Sequence, residues 1–111
     1  MHSLRSTLFW LIALPLTLWA TACGSILSSS EISAASTALE QAEAASAEEL
    51  ALYEFVSAQE YLGKARAEWG RSDFQQAVDY ARRAQSFAVL AYERARRAVN
   101  IGTTTAVLDD D

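Results

Sequence analysis

Two regimes of apolar spacing divide the chain. An unbroken apolar run, Leu8-Phe9-Trp10-Leu11-Ile12-Ala13-Leu14-Pro15-Leu16-Thr17-Leu18, comes first, and a period of three and four residues follows almost to the end. The second regime is helical. From Asp73 to Val99 the apolar positions Phe74, Ala77, Val78, Ala81, Ala84, Ala88, Ala91, Tyr92, Ala95 and Val99 share one side of a helix, which would be roughly 40 Å long at 1.5 Å per residue. The stretch before it places Ala47, Leu50, Ala51, Ala58, Tyr61, Leu62, Ala65 and Trp69 on one side of another helix. Between the two, Gly70 predicts a left-handed helix end, and Ser72 with Gln75 predicts a capping box that opens the next helix. So short a link forces an antiparallel pair. Residues 46–100 therefore read as a helical hairpin, with Trp69 meeting Phe74 and Leu62 lying near Ala81.

Upstream of the hairpin, residues 31–45 form an alanine- and glutamate-rich helix whose apolar set, Ile32, Ala35, Leu39 and Ala42, is rotated from the later face. A bend or break is expected near Ser46. Ser28 with Glu31 and Ser46 with Glu49 provide two further capping boxes. Downstream, residues 101–111 read as a flexible acidic tail ending in Asp109-Asp110-Asp111. The hairpin also carries more apolar surface than two helices cover: Leu52 and Val56 lie opposite Ala58 and Leu62, and Tyr80 and Phe87 flank the second helix's core face. So wide a stripe needs another layer. Either residues 31–45 fold back as a third helix, or Leu52, Val56, Tyr80 and Phe87 dock a partner helix or a second copy.

The N-terminal run has the layout of a secretory signal, with Arg5 before the apolar stretch and small residues after it. An uncleaved anchor would need about 20 consecutive apolar residues, and Pro15 interrupts this shorter run. Leu18-Trp19-Ala20-Thr21-Ala22-Cys23-Gly24 resembles the lipobox of bacterial lipoproteins. That resemblance implies a signal peptide over residues 1–22, cleavage between Ala22 and Cys23, and acylation of Cys23. Simple secretion would leave Cys23, the only cysteine, as an odd thiol. Several acyl chains on one residue also meet the requirement that stable anchoring takes more than one chain, each buried methylene adding about 0.8 kcal/mol. Residues 23–30 would then be a lipidated N-terminus and linker. Gly24 after the cysteine implies, by the sorting habits of such lipoproteins, the periplasmic face of the outer membrane rather than the inner membrane.

Composition narrows the functional classes. The chain has 14 Asp and Glu against 9 Lys and Arg, for a formal net charge of −5, with a single histidine, proline, cysteine and methionine. Without disulfide or metal staples, a chain this small has association as its remaining route to added stability. The acidic balance, together with export, disfavours nucleic acid. Every charge between Glu31 and Glu60 is a glutamate, whereas Lys64, Arg66, Arg71, Arg82, Arg83, Arg94, Arg96 and Arg97 follow. Arg83, Arg94 and Arg97 share the back of the second hairpin helix with Leu90. They form either a solvated face laced with pairs such as Asp79–Arg83 and Glu93–Arg97, or a strip that binds an anionic envelope ligand. Glu54 projects into the apolar face and is expected to hydrogen-bond Tyr92 or Gln85. The only histidine falls in the signal segment, and no phosphate loop or carboxylate cluster at metal spacing is present, so neither catalysis, a cofactor nor a metal is expected.

Tyr53-Glu54, Ala58, Glu60-Tyr61-Leu62 and Lys64-Ala65-Arg66, followed by Ser72-Asp73-Phe74, Ala77, Ala81 and Ala84, resemble the helical-hairpin domain of small Gram-negative lipoproteins known only as a domain of unknown function. The resemblance spans about residues 47 to 98. It implies a lipobox and, in some relatives, attached peptidoglycan-binding domains of the OmpA type; it implies no activity and no catalytic residue. The expectation is thus an all-α, lipid-anchored antiparallel hairpin with an N-terminal helical extension. It would serve as a structural or interaction module of the cell envelope, with the membrane, an envelope protein or its own copies as partners.

Overall fold

The computed structural model describes the backbone of residues 2–109 and the side chains of residues 23–109. Four helices follow one another: α1 (His2–Ala44), the single-turn α2 (Ala47–Leu50), α3 (Leu52–Gly70) and α4 (Phe74–Leu108). Helices α3 and α4 form the antiparallel hairpin that the apolar spacing predicts. The C-terminal half of α1 folds back along it, so Ala35 meets Leu62 and Ala84, Ala38 meets Ala58 and Ala88, and Ala42 packs with Phe55, Ala91 and Ala95. In that register α1 runs antiparallel to α3 and parallel to α4. The third helix is realised, but it leaves Leu52 and Val56 exposed, and the architecture is an all-α three-helix bundle with the hairpin as its larger part.

Alanine sets the packing. Ala35, Ala42, Ala47, Ala58, Ala65, Ala77, Ala81, Ala84, Ala88, Ala91 and Ala95 are all essentially inaccessible, and Phe55, Leu62 and Val78 are the larger apolar side chains that join them. A methyl group at each contact lets helix axes approach to about 8 Å, the short end of the usual range. The chain as a whole is elongated, with extents of 97 × 21 × 15 Å. No buried side-chain nitrogen or oxygen among the described residues lacks a hydrogen-bond partner.

Helix ends differ from the sequence reading in instructive ways. The break at Ser46 is present: this residue is left-handed (φ 60°) and makes no side-chain cap, so it terminates α1 rather than opening a capping box. Between α3 and α4 the left-handed residue is Ser72 (φ 64°), not Gly70, which lies inside α3. Ser72 N–H donates to the Trp69 carbonyl and Asp73 N–H to the Glu68 carbonyl, both at 3.0 Å, the bond pair of a Schellman ending. Asp73, not Ser72, then caps α4 by accepting the Gln76 N–H at 3.2 Å. This later turn shifts each α3 residue's partner along α4 by about one helical turn. Leu62 accordingly packs at Ala84 rather than Ala81, and Phe74 lies against Gly24.

Both ends of the domain are more helical than expected. Residues 23–30 are not a linker but part of α1, with Ser28 fully buried and its hydroxyl donating to the Ser25 carbonyl at 3.0 Å, so it caps nothing. The tail beginning at residue 101 is helical through Leu108. Thr103, Thr104 and Thr105 there donate to the carbonyls of Val99, Asn100 and Ile101 at 3.0, 3.0 and 2.8 Å. These bonds return to the preceding turn and are compatible with helix. Asp110 and Asp111 lie outside the described residues.

Candidate functional site

Because α1 covers one side of the hairpin, the apolar residues on the other side remain in view. Leu52 and Val56, one turn apart on α3, are 58% and 39% exposed. With Tyr53, Ser57 and Glu60 they line a shallow depression of about 460 Å³. Tyr80 and Phe87 do not lie beside them on the outer face of α3. They occupy the α3–α4 groove, where Phe87 stacks on Tyr61 (centroids 5.7 Å apart, planes 8° apart) and Tyr61 meets Tyr80 at 6.0 Å. Tyr53 joins the two parts, being 72% exposed on the outer face yet edge-on to Phe87 at 6.3 Å. The four residues singled out from the sequence thus belong to one surface that wraps from the back of α3 into the groove, with Tyr53 and Tyr61 as the members that link it. Tyr61 reads from spacing as an ordinary core residue. Its role follows only from the partner register, which the position of the turn decides.

Aromatic rings in such a ladder contribute about 0.5–1.5 kcal/mol per pair beyond the area they bury. Cations border it: Lys64 Nζ lies 5.2 Å from the Tyr61 centroid and 5.9 Å from that of Tyr80, and the Arg83 guanidinium lies 5.8 Å from that of Tyr61.

The arginine strip is partnered along its length. Arg83 faces Tyr61 as just described, and Arg97 lies 3.7 Å from the Glu93 carboxylate. Arg94 pairs with Glu54, whose side chain is nearly inaccessible while that of Arg94 is more than half exposed. The expected hydrogen bond from Glu54 to Tyr92 or Gln85 is therefore replaced by an ion pair. Tyr92 instead accepts from Arg96 at 3.1 Å. No sequence spacing flags this pair, since the partners lie on different helices and meet only in the observed register. Across the α1–α4 seam, Arg82 pairs with Glu31 at 3.1 Å. Among the described residues no group of three or more His, Cys, Asp or Glu side chains is placed to hold a metal ion.

Cys23 is an exposed free cysteine in α1. The Ala22 side of the expected cleavage site lies outside the residues whose side chains are described. Among the described residues no helix is long and apolar enough to cross a membrane.

The alanine-packed three-helix bundle thus carries its aromatic cluster on the side that α1 leaves uncovered. Residues 30–103 match the family model described as Domain of unknown function (DUF4398), and the chain belongs to that family. The matched span starts within α1 and ends within α4, so the family unit takes in the third helix as well as the hairpin. No curated protein and no solved structure matches the chain.

Proposed function

We propose that this protein is a lipid-anchored lipoprotein on the periplasmic face of the outer membrane that works, without catalysis, as a structural or protein-interaction module of the cell envelope. Cys23 carries the acyl chains after removal of residues 1–22. The surface formed by Leu52, Tyr53, Val56, Tyr80 and Phe87 receives an envelope protein or a second copy of the chain. The observation that carries the interaction role is that Leu52, Val56 and Tyr53 stay exposed even though a third helix has folded onto the hairpin. Exposed large apolar side chains gathered on one side, rather than scattered, mark an interaction surface. The alternative, an anionic envelope ligand on Arg83, Arg94 and Arg97, is the weaker reading. Such a ligand would compete with the Tyr61 ring, Glu54 and Glu93 for guanidiniums they already engage.

Photo-crosslinking in the native envelope from positions 52, 56, 80 and 87 tests the proposal, with products identified by mass spectrometry. Adducts at multiples of the protein's own mass identify self-assembly, and a discrete foreign band identifies a partner. Absence of any adduct at all four positions refutes the interaction role.

A further inference from the structure

We propose that the end of the bundle formed by the α3–α4 turn is a lipid-facing surface, seated on the phospholipid headgroups of the membrane that holds Cys23. The rod then stands upright, with α2 and the end of α4 farthest from the bilayer. This rests on the acylation of Cys23 proposed above and adds an orientation that acylation alone does not dictate.

Slack is the first consideration. A flexible linker after the acylated residue would let the domain tumble, but α1 is helical through Cys23, and Gly24 lies against α4, where an added Cβ would sit 3.4 Å from Phe74 Cδ2. The acyl-bearing residue is therefore level with the first turn of α4 and the turn that precedes it. Acyl chains entering the bilayer at Cys23 bring that turn to the headgroups.

The side chains at this level suit such a setting. Ile26, Leu27 and Trp69 are 67%, 51% and 45% exposed and come from two different helices, forming a collar around the end of the bundle rather than a stripe along its side. Leu27 is four residues from Cys23, about 6 Å along the axis, within the 5–10 Å over which interfacial side chains meet the headgroup and acyl boundary. Trp69 is the residue type that settles at a membrane–water boundary, with its ring in the apolar layer and its N–H toward water. Arg66, which lines a small depression with Trp69, has the apolar stem and polar head that can follow it.

Charge does not oppose the contact. The chain as a whole is acidic, yet at this end Arg71 pairs with Glu68 at 2.9 Å, Asp73 is occupied in capping Gln76, and Arg66 donates to the Ser36 hydroxyl at 3.4 Å. Glu43, Glu48 and Glu49, which make no ion pair among the described residues, lie at the opposite end, beside the α1–α2 turn.

The test takes the full chain expressed with its leader and purified with its acyl chains. The protein is reconstituted into phosphatidylethanolamine–phosphatidylglycerol vesicles with or without brominated acyl chains. Once residues 1–22 are removed, Trp69 is the only tryptophan, so fluorescence reads this end of the rod alone. Brominated lipid is expected to quench its emission, since a tryptophan seated at the interface lies within reach of the acyl chains. The variant combining Trp69→Phe with Val99→Trp, which moves the reporter roughly 38 Å along α4 from Phe74, is expected to be unaffected. Intact mass of the same preparation reads acylation of Cys23 separately. Acylated protein with unquenched Trp69 overturns the upright seating while leaving the anchor standing. Quenching of both reporters overturns it in favour of a rod lying flat, and an unmodified Cys23 overturns the anchor and the seating together.

Discussion

Phe87 and Ala88 are adjacent in sequence and stand for two sides of one hairpin built by opposite rules. Ala88 is fully buried between Ala38 of α1 and Ala58 of α3, where the helices touch through methyl groups. Phe87 lies in the groove that α1 leaves open, stacked on Tyr61 and meeting the edge of Tyr53. The inner side gains its order from the close approach of alanines, with Phe55, Leu62 and Val78 as the few larger side chains it admits. Tyr53, Tyr61, Tyr80 and Phe87 are carried on the outer side, where ring stacking covers part of them and Tyr53 stays exposed. A bundle built this way separates the buried residues that hold it together from the exposed ones, so each set can be perturbed by itself.

The largest effect is expected on the inner side. Ala88→Leu forces a branched side chain into a three-helix contact with no free volume, and overpacking of that kind costs about 3 kcal/mol. Urea unfolding should show the loss, together with weakened packing of α1. An equal midpoint for Ala88→Leu and wild type would mean that the α1 contact is loose and the contrast between the sides is false. Next comes the seam between the two sides, where Glu54 is buried against Arg94. Removing one member of a fully buried pair costs about 3–5 kcal/mol, but Arg94 is more than half exposed, so water partly compensates. Arg94→Met is expected to cost about 2 kcal/mol in the same measurement, and the double variant Glu54→Leu with Arg94→Met should recover most of it. A smaller effect follows on the outer side, where Phe87→Ala removes two ring contacts from a half-open groove. It should cost about 1–2 kcal/mol, less than the Phe/Trp→Ala range of a closed core.

What the sequence discloses follows the same division. The inner side is legible because alanine recurs at three- and four-residue spacing: Ala77, Ala81, Ala84, Ala88, Ala91 and Ala95 are all read from the pattern and all buried. The break at Ser46 is legible as well. The register is not, because it turns on whether Gly70 or Ser72 takes the left-handed conformation. Glycine has the better intrinsic propensity for that region, yet Ser72 is placed there by the pair of bonds that closes α3. From that one residue follow the packing of Leu62 at Ala84 instead of Ala81 and the pairing of Glu54 with Arg94. The gathering of Tyr53 and Tyr61 with Phe87 depends on the same register. Residues 23–30 and 101–108 are helical against expectation for another reason. Serine and threonine favour caps and turns when counted by type, but Ser28, Thr103, Thr104 and Thr105 turn their hydroxyls back onto carbonyls of the preceding turn and remain inside helices.

The smallest expected change in stability accompanies the largest expected change in binding. Leu52 and Val56 face solvent on the back of α3, away from α1 and α4, and surface substitutions free of buried partners stay within about 0.5 kcal/mol. The double variant Leu52→Asp with Val56→Asp should therefore keep its helical circular dichroism and its urea midpoint. Two charges at the centre of an apolar contact must be desolvated for a partner to dock, so adducts formed from a crosslinker at position 87 should disappear from this variant. Arg83→Gln with Arg97→Gln supplies the opposing arm, removing two of the strip's three charges and sparing Arg94, which holds Glu54, while leaving Leu52 and Val56 intact. Retained adducts in that arm, unchanged by added salt, place the contact on the apolar surface, because screening weakens exposed charge pairs and leaves apolar burial in place. Adducts that survive the aspartates but vanish with the arginines would transfer the interaction to the strip and reverse the roles assigned to the two surfaces.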